Sequence, residues 1–96
     1  MATVLHHYRI TEQSFPDPYG FNFDVQVYNS VDGGVTYWYC GIGKFTKTLP
    51  EAFAYCENYE QDHGAGDPIA WTKAAHPIFD GGICYTSFSE EARPEC

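Results

Sequence analysis

Residues 21–45 read FNFDVQVYNSVDGGVTYWYCGIGKF. The first seven alternate strictly, with Phe21, Phe23, Val25 and Val27 on one side and Asn22, Asp24 and Gln26 on the other. A period of two over seven residues is the mark of a strand with one buried face. Asp32-Gly33 then predicts a two-residue hairpin turn, because both central positions of such a turn favour positive φ. Residues 35–45 form the returning strand. With the turn there, Val31 opposes Gly34, Val27 opposes Trp38, Val25 opposes Cys40 and Phe23 opposes Ile42. The inner face is then Phe23, Val25, Val27, Trp38, Cys40 and Ile42, and the outer face is Asn22, Asp24, Gln26, Tyr28, Tyr37 and Tyr39. A loop one residue longer would exchange the faces of the second strand and bury Tyr37 and Tyr39. Keeping the apolar residues together selects the first register.

Working outward, Thr3 to Ile10 reads as a first strand. Residues 11–20, TEQSFPDPYG, read as a loop, since Pro16 and Pro18 each lack a backbone donor and Gly20 ends the run. On the other side, Thr48 is a suitable N-cap and Glu51 stands three residues later, the spacing of a capping box. A helix is predicted from about Leu49 to His63, with Pro50 tolerated in its first turn and Gly64 as its stop. Leu49, Ala52, Phe53, Cys56 and Tyr59 make its apolar stripe. A short strand is expected around Ile69 to Thr72, and GICYTSF, after the Asp80-Gly81-Gly82 turn, reads as a last strand. The expected architecture is α+β: an antiparallel sheet of four to five strands with one α-helix packed on one face.

Ninety-six residues make a single domain, 1–96, with its tail from about Ser89 to Cys96 expected to be flexible. An aromatic content of 18% argues against general disorder. Thirteen acids against five bases give a net charge of -8, and the bases (Arg9, Lys44, Lys47, Lys73 and Arg93) are scattered. A reader of nucleic-acid phosphates needs clustered bases, so no direct nucleic-acid binding is expected. The acidic excess serves either solubility or a basic partner. The start, MATVLHHYRIT, has no basic region followed by a long apolar run, so no secretory signal is expected. No stretch approaches the roughly 20 apolar residues of a membrane span. The expectation is a cytoplasmic protein with reduced thiols.

Four cysteines stand 16, 28 and 12 residues apart, without the close pairs of a zinc site. Cys40 on its strand and Cys56 on the helix face the core as small hydrophobes, and a disulfide between them across the sheet–helix interface is left open if the protein is ever oxidised. Cys84, after two glycines, is the one thiol read as exposed, and with a histidine it supports an alternative reading as a small thiol-dependent enzyme. His6 and His7 are consecutive on a strand and so face opposite ways, which argues against a shared metal. No metal, no cofactor and no catalytic residue is predicted, and no nucleotide-binding or hydrolase motif occurs.

Two surfaces stand out. One is the polar-aromatic sheet face of Asp24, Gln26, Tyr28, Tyr37 and Tyr39, since tyrosines give contact area with a polar tip. The competing expectation is that a second layer, such as the loop with Phe15, Pro16 and Tyr19, covers it. The other is the outer side of the helix, with Glu51, Glu57, Glu60, Gln61 and Asp62. Glu60 and Asp62 lie in the last turn, where the helix dipole disfavours negative charge by about 0.3–1 kcal/mol each.

In size, charge and architecture the chain resembles phage-encoded anti-CRISPR inhibitors. The features carrying the resemblance are the charge of -8, the helix with Glu57, Glu60 and Asp62, and the Tyr28/Tyr37/Tyr39 face. It implies a non-enzymatic inhibitor in the host cytoplasm that occupies the basic nucleic-acid-binding surface of a CRISPR-Cas surveillance complex. A further alternative is an accessory protein of a phage or bacterium that self-associates through an edge strand or the tyrosine face, so monomer and dimer both remain open.

Overall fold

The computed structural model describes residues 5–13, 17–32, 37–64, 66, 68–76, 78, 80–87 and 94–95, with the side chains of 40, 94 and 95 left aside. Gly33 of the expected turn, Phe15 and Pro16 of the expected covering loop, and most of the tail lie outside the described residues. So does the Cys40 side chain, and with it the question of a bond to Cys56.

The order of elements is β1 (Leu5–Glu12), β2 (Phe23–Ser30), β3 (Tyr37–Thr46), α1 (Leu49–His63), β4 (Thr72–Lys73), β5 (Cys84–Thr86) and β6 (Pro94–Glu95). The strands form one sheet in the order β4-β5-β1-β2-β3-β6. The five strands from β4 to β3 pair antiparallel. The two-residue β6 adds to the β3 edge in parallel, with Tyr37 opposite Pro94 and Trp38 opposite Glu95. The fold is α+β, and at least this part of the expected flexible tail is tied to the sheet. The expected start of β1 at Thr3 lies outside the described residues, and the strand ends later than expected: Thr11 and Glu12 continue it, because Thr11 pairs with both Asp24 and Cys84.

The helix spans Leu49–His63, and the Thr48 side chain accepts a hydrogen bond from the Glu51 N–H at 3.3 Å. Ala52 and Cys56 are fully buried against Tyr8, Ile10, Val25 and Val27, with Phe23, Ile42, Leu49, Phe53 and Tyr59 packed around them. Gly64 stops the helix in extended rather than left-handed backbone. Its lack of a side chain is used for room, since a Cβ there would overlap the Glu60 carboxylate.

The β2–β3 register differs from the expected one. Asn29 pairs with Trp38 and Tyr28 with Tyr39, then a bulge intervenes and Val27 pairs with Ile42, Val25 with Lys44 and Phe23 with Thr46. Cys40 and Gly41 are the two residues of β3 left between these pairs. Gly41 has φ +81°, a left-handed backbone that glycine adopts without penalty. The ladder is thus displaced by two residues before the bulge and by four after it. Alternation specifies only the parity of a register, so even shifts keep each residue on its expected face while changing its neighbour. Trp38, expected on the inner face, is about one-third exposed and lies outside the core.

Candidate functional site

The sheet face away from α1 is built by the register of three strands. His7 lies opposite Tyr28, Arg9 opposite Gln26 and Thr11 opposite Asp24, while Cys84 and Thr86 continue the face on β5. The Arg9 guanidinium carbon sits 5.9 Å above the Tyr28 ring, and the Tyr28 hydroxyl donates to Gln26 Oε1 at 2.9 Å. The His7 and Tyr37 rings meet nearly edge to face at 4.2 Å.

These contacts correct the expected tyrosine platform. Tyr28 and Tyr37 are 2% and 3% exposed, so they support the face from within. Tyr19, offered as a cover, is itself strongly exposed. Tyr39 (41%) and Phe45 (53%) do reach solvent on this face, at the β3 edge. Phe45 continues the odd-numbered series Tyr37, Tyr39, Gly41, Gly43, so period two could have found it. Gln26 and Asp24 are half-buried, and burial holds the Asp24 carboxyl above its ordinary range.

Cys84 is also corrected. It is 2% exposed and faces the same side as Thr11, whose hydroxyl lies 3.9 Å from its sulfur. Two preceding glycines predicted exposure, but the pairing of β5 with β1 and β4 encloses the side chain.

On the helix, Glu57 and Asp62 are exposed but Glu60 is not their companion. Glu60 lies one turn beyond Cys56 and two beyond Ala52, so it shares their inward direction. Its carboxylate accepts a hydrogen bond from the Tyr8 hydroxyl at 2.8 Å. That i, i+4 relation was visible in the sequence and outranks the residue's charge. Glu57 and Asp62, five residues apart at about 100° each, are separated by about 140° around the axis and border the exposed face on opposite sides.

At the N-terminal half of β1 a pocket of about 240 Å³ is lined by His6, His7, Tyr8, Glu60 and Ser87, with residues 68–70 closing one side. His6 and His7 both reach it from opposite faces because it sits at the strand's edge. Its polar groups partner one another. The Tyr8 N–H donates to Ser87 Oγ at 2.8 Å, and His7 Nδ1 and Ser87 Oγ lie 2.9 Å apart. His6 lies between the Asn29 side-chain oxygen at 2.8 Å and the His63 carbonyl at 3.2 Å. Burial holds His7 below its ordinary imidazole value and raises the Tyr8 phenol. Among the described residues no three His, Cys, Asp or Glu side chains are placed to share a metal ion. No helix of the described residues is long and apolar enough to cross a membrane.

No protein-family model, no curated protein and no solved structure matches the chain.

Two grooves that share Tyr55 and Asn58 lie along the helix, the first of them between the helix and β3. One, of about 270 Å³, is lined by Lys44, Thr46, Glu51, Ala54, Tyr55 and Asn58. The other, of about 310 Å³, is lined by Tyr55, Asn58, Tyr59, Asp62 and His63. On the opposite flank Glu57 and Gln61 line a groove of about 220 Å³ with Gly66 and Pro68. The acidic border residues therefore stand at the lips of concavities rather than on a flat ridge.

Proposed function

We propose that the chain is a non-enzymatic binding protein that sets the outer face of α1 on a basic protein surface. One observation carries this reading. Glu57 and Asp62 are exposed on opposite borders of the helix, and neither forms an ion pair among the described residues, in a chain with a net charge of -8. Glu60, needed inside, leaves the interface set, as do Tyr28 and Tyr37. The contact residues are Glu57, Asp62 and the exposed Glu51 on the helix, with Tyr39 on the sheet edge as a separate and weaker candidate. Charge complementarity of this kind raises the rate of association and loses strength with salt.

The resemblance to anti-CRISPR inhibitors supplies the specific form of the proposal: the basic surface is the one on which a CRISPR-Cas surveillance complex takes nucleic acid, and the chain blocks it by occupancy. The test mixes the purified protein with a Cascade-type complex. Co-elution, reduced DNA binding by the complex, and weakening of both by Glu57→Lys with Asp62→Lys are expected. Absence of co-elution together with undiminished DNA binding would dispose of the CRISPR form. A thiol-dependent activity is the poorer alternative, because the enclosed Cys84 cannot meet a substrate without local opening.

A further inference from the structure

We infer that the notch between Tyr55 and Tyr59 is where the partner inserts an arginine side chain, a deepening that rests on the binding reading above. Tyr55, Asn58, Tyr59, Asp62 and His63 follow the spacing i, i+3, i+4, i+7, i+8, so one helical stripe supplies the whole lining. Two kinds of group suited to a cation meet there. The first is the pair of tyrosine rings, with centroids 6.4 Å apart and planes tilted by 36°, which both line the concavity, Tyr59 packing also on the His63 ring at 4.6 Å. The second is the exposed Asp62 carboxylate, which has no ion-pair partner among the described residues.

The chain already places one of its own cations against this wall. Lys44 Nζ lies 5.7 Å from the centre of the Tyr55 ring, within the range of a cation–π contact. Lys44 comes from the adjoining groove, and Tyr55 and Asn58 line both grooves, forming the partition between them. One cation of the chain thus already rests on this partition, while the groove beyond it holds the carboxylate and no base but the terminal imidazole of His63. Arginine fits that groove better than lysine. Its planar guanidinium can lie on a tyrosine while its N–H groups, fixed in a fork, donate to the Asp62 carboxylate and the Asn58 carbonyl together. A lysine ammonium can donate to both oxygens, but as a compact, strongly hydrated point charge it has no flat face to lie on a tyrosine. The overall charge of -8 favours a basic segment as the bearer of that arginine over a second copy of this chain.

The experiment titrates the full-length chain, labelled with ¹⁵N, with a fluorescent nine-residue peptide containing three arginines, and with its lysine counterpart. Amide shifts and anisotropy are read at low salt. Backbone signals of residues 55–63 should move, and the arginine peptide should bind about threefold or more tightly than the lysine peptide. Asp62→Asn and Tyr55→Leu should each weaken it by a similar factor. Lys44→Gln should strengthen it about twofold by removing the internal competitor for Tyr55. The melting curve of each variant separates loss of binding from loss of fold. If the peptide binds and Glu57→Gln weakens it while Asp62→Asn and Tyr55→Leu do not, the notch is wrong and the wider binding reading survives. Equal affinity for the two peptides also overturns the arginine assignment. If neither peptide moves any signal, both proposals fall.

Discussion

The Tyr8 hydroxyl donates to Glu60 Oε1 at 2.8 Å, joining β1, beneath the helix, to the last turn of α1. Tyr8 is otherwise enclosed, with its ring 6.2 Å from Tyr59 and 6.5 Å from Trp71. The bond fixes where the helix end rests on the sheet, and a hydrogen bond to a charged group contributes about 1.5–3 kcal/mol. Tyr8→Phe keeps the ring and deletes the bond, so chemical denaturation should show a loss of about 1.5–3 kcal/mol. Gly64→Ala should lose a comparable amount by displacing the same carboxylate, and the two together should cost clearly less than their sum. Strict additivity would show that they act on different contacts.

Gly43 lies against β2 so closely that a Cβ would overlap the Val25 carbonyl, and the Tyr39 hydroxyl would stand 3.5 Å from it. Backbone atoms cannot rotate away, so Gly43→Ala must part the strands beside the bulge. A cost of about 1–3 kcal/mol is expected, the range for overpacked sites. In a domain of this size that corresponds to a fall in Tm of at least about 4 °C. An unchanged Tm would mean that β2 and β3 sit further apart than described.

Much of this was legible in the residues, and the reasons for success and failure differ. The helix was readable to the residue because Thr48, Glu51 and Gly64 are local signals whose partners lie within one turn. The faces of β2 and β3 were readable because parity survives any even shift. The pairing was not, since the bulge at Cys40-Gly41 depends on a positive φ that Gly41 permits but does not announce. Glu60 was misassigned because charge was given more weight than its position one turn from Cys56. The burial of Tyr28, Tyr37 and Cys84 depends on contacts between elements distant in the chain, such as β1 with β5, which no local pattern contains.

Alkaline pH should destabilise the protein from the ordinary ionisation range of its cysteine and tyrosine side chains upward. Burial pushes the Cys56 thiol up to about 12, with Glu57 adding to the shift, and burial with the Glu60 hydrogen bond raises Tyr8. Both groups hold their protons more tightly in the folded chain than in the unfolded one. Between the ordinary thiol value of 9.0 and about 12 the folded state therefore binds more protons, and stability falls as pH rises. Cys56→Ala removes the thiol contribution at the expense of about 1 kcal/mol of packing at neutral pH. Its decline should begin about one pH unit later, near the ordinary phenol value of 10.0. Thermal melts from pH 8 to 11 check this, and parallel curves for variant and parent would contradict it.

Asp24 offers a test of whether part of the outer sheet face is kept for something other than folding. It lies between Thr11 on β1 and Phe45 on β3, and burial raises its carboxyl above the ordinary value of 3.8. The folded chain thus prefers the protonated form, so stability falls as pH rises from about 3.8 through the folded value, and the full penalty is present at neutral pH. Asp24→Asn keeps the shape and removes the charge. It should stabilise the protein at pH 7 and lose that advantage below about pH 4, where the parent carboxyl is itself neutral. Denaturant midpoints at pH 7 and pH 3.5 measure the difference. A less stable variant at pH 7 would show that the charged form makes a favourable contact in the fold. A more stable one leaves the carboxylate without a folding role, and the same variant in the surveillance-complex assay then decides whether Asp24, beside the exposed Phe45 and Tyr39, meets the partner.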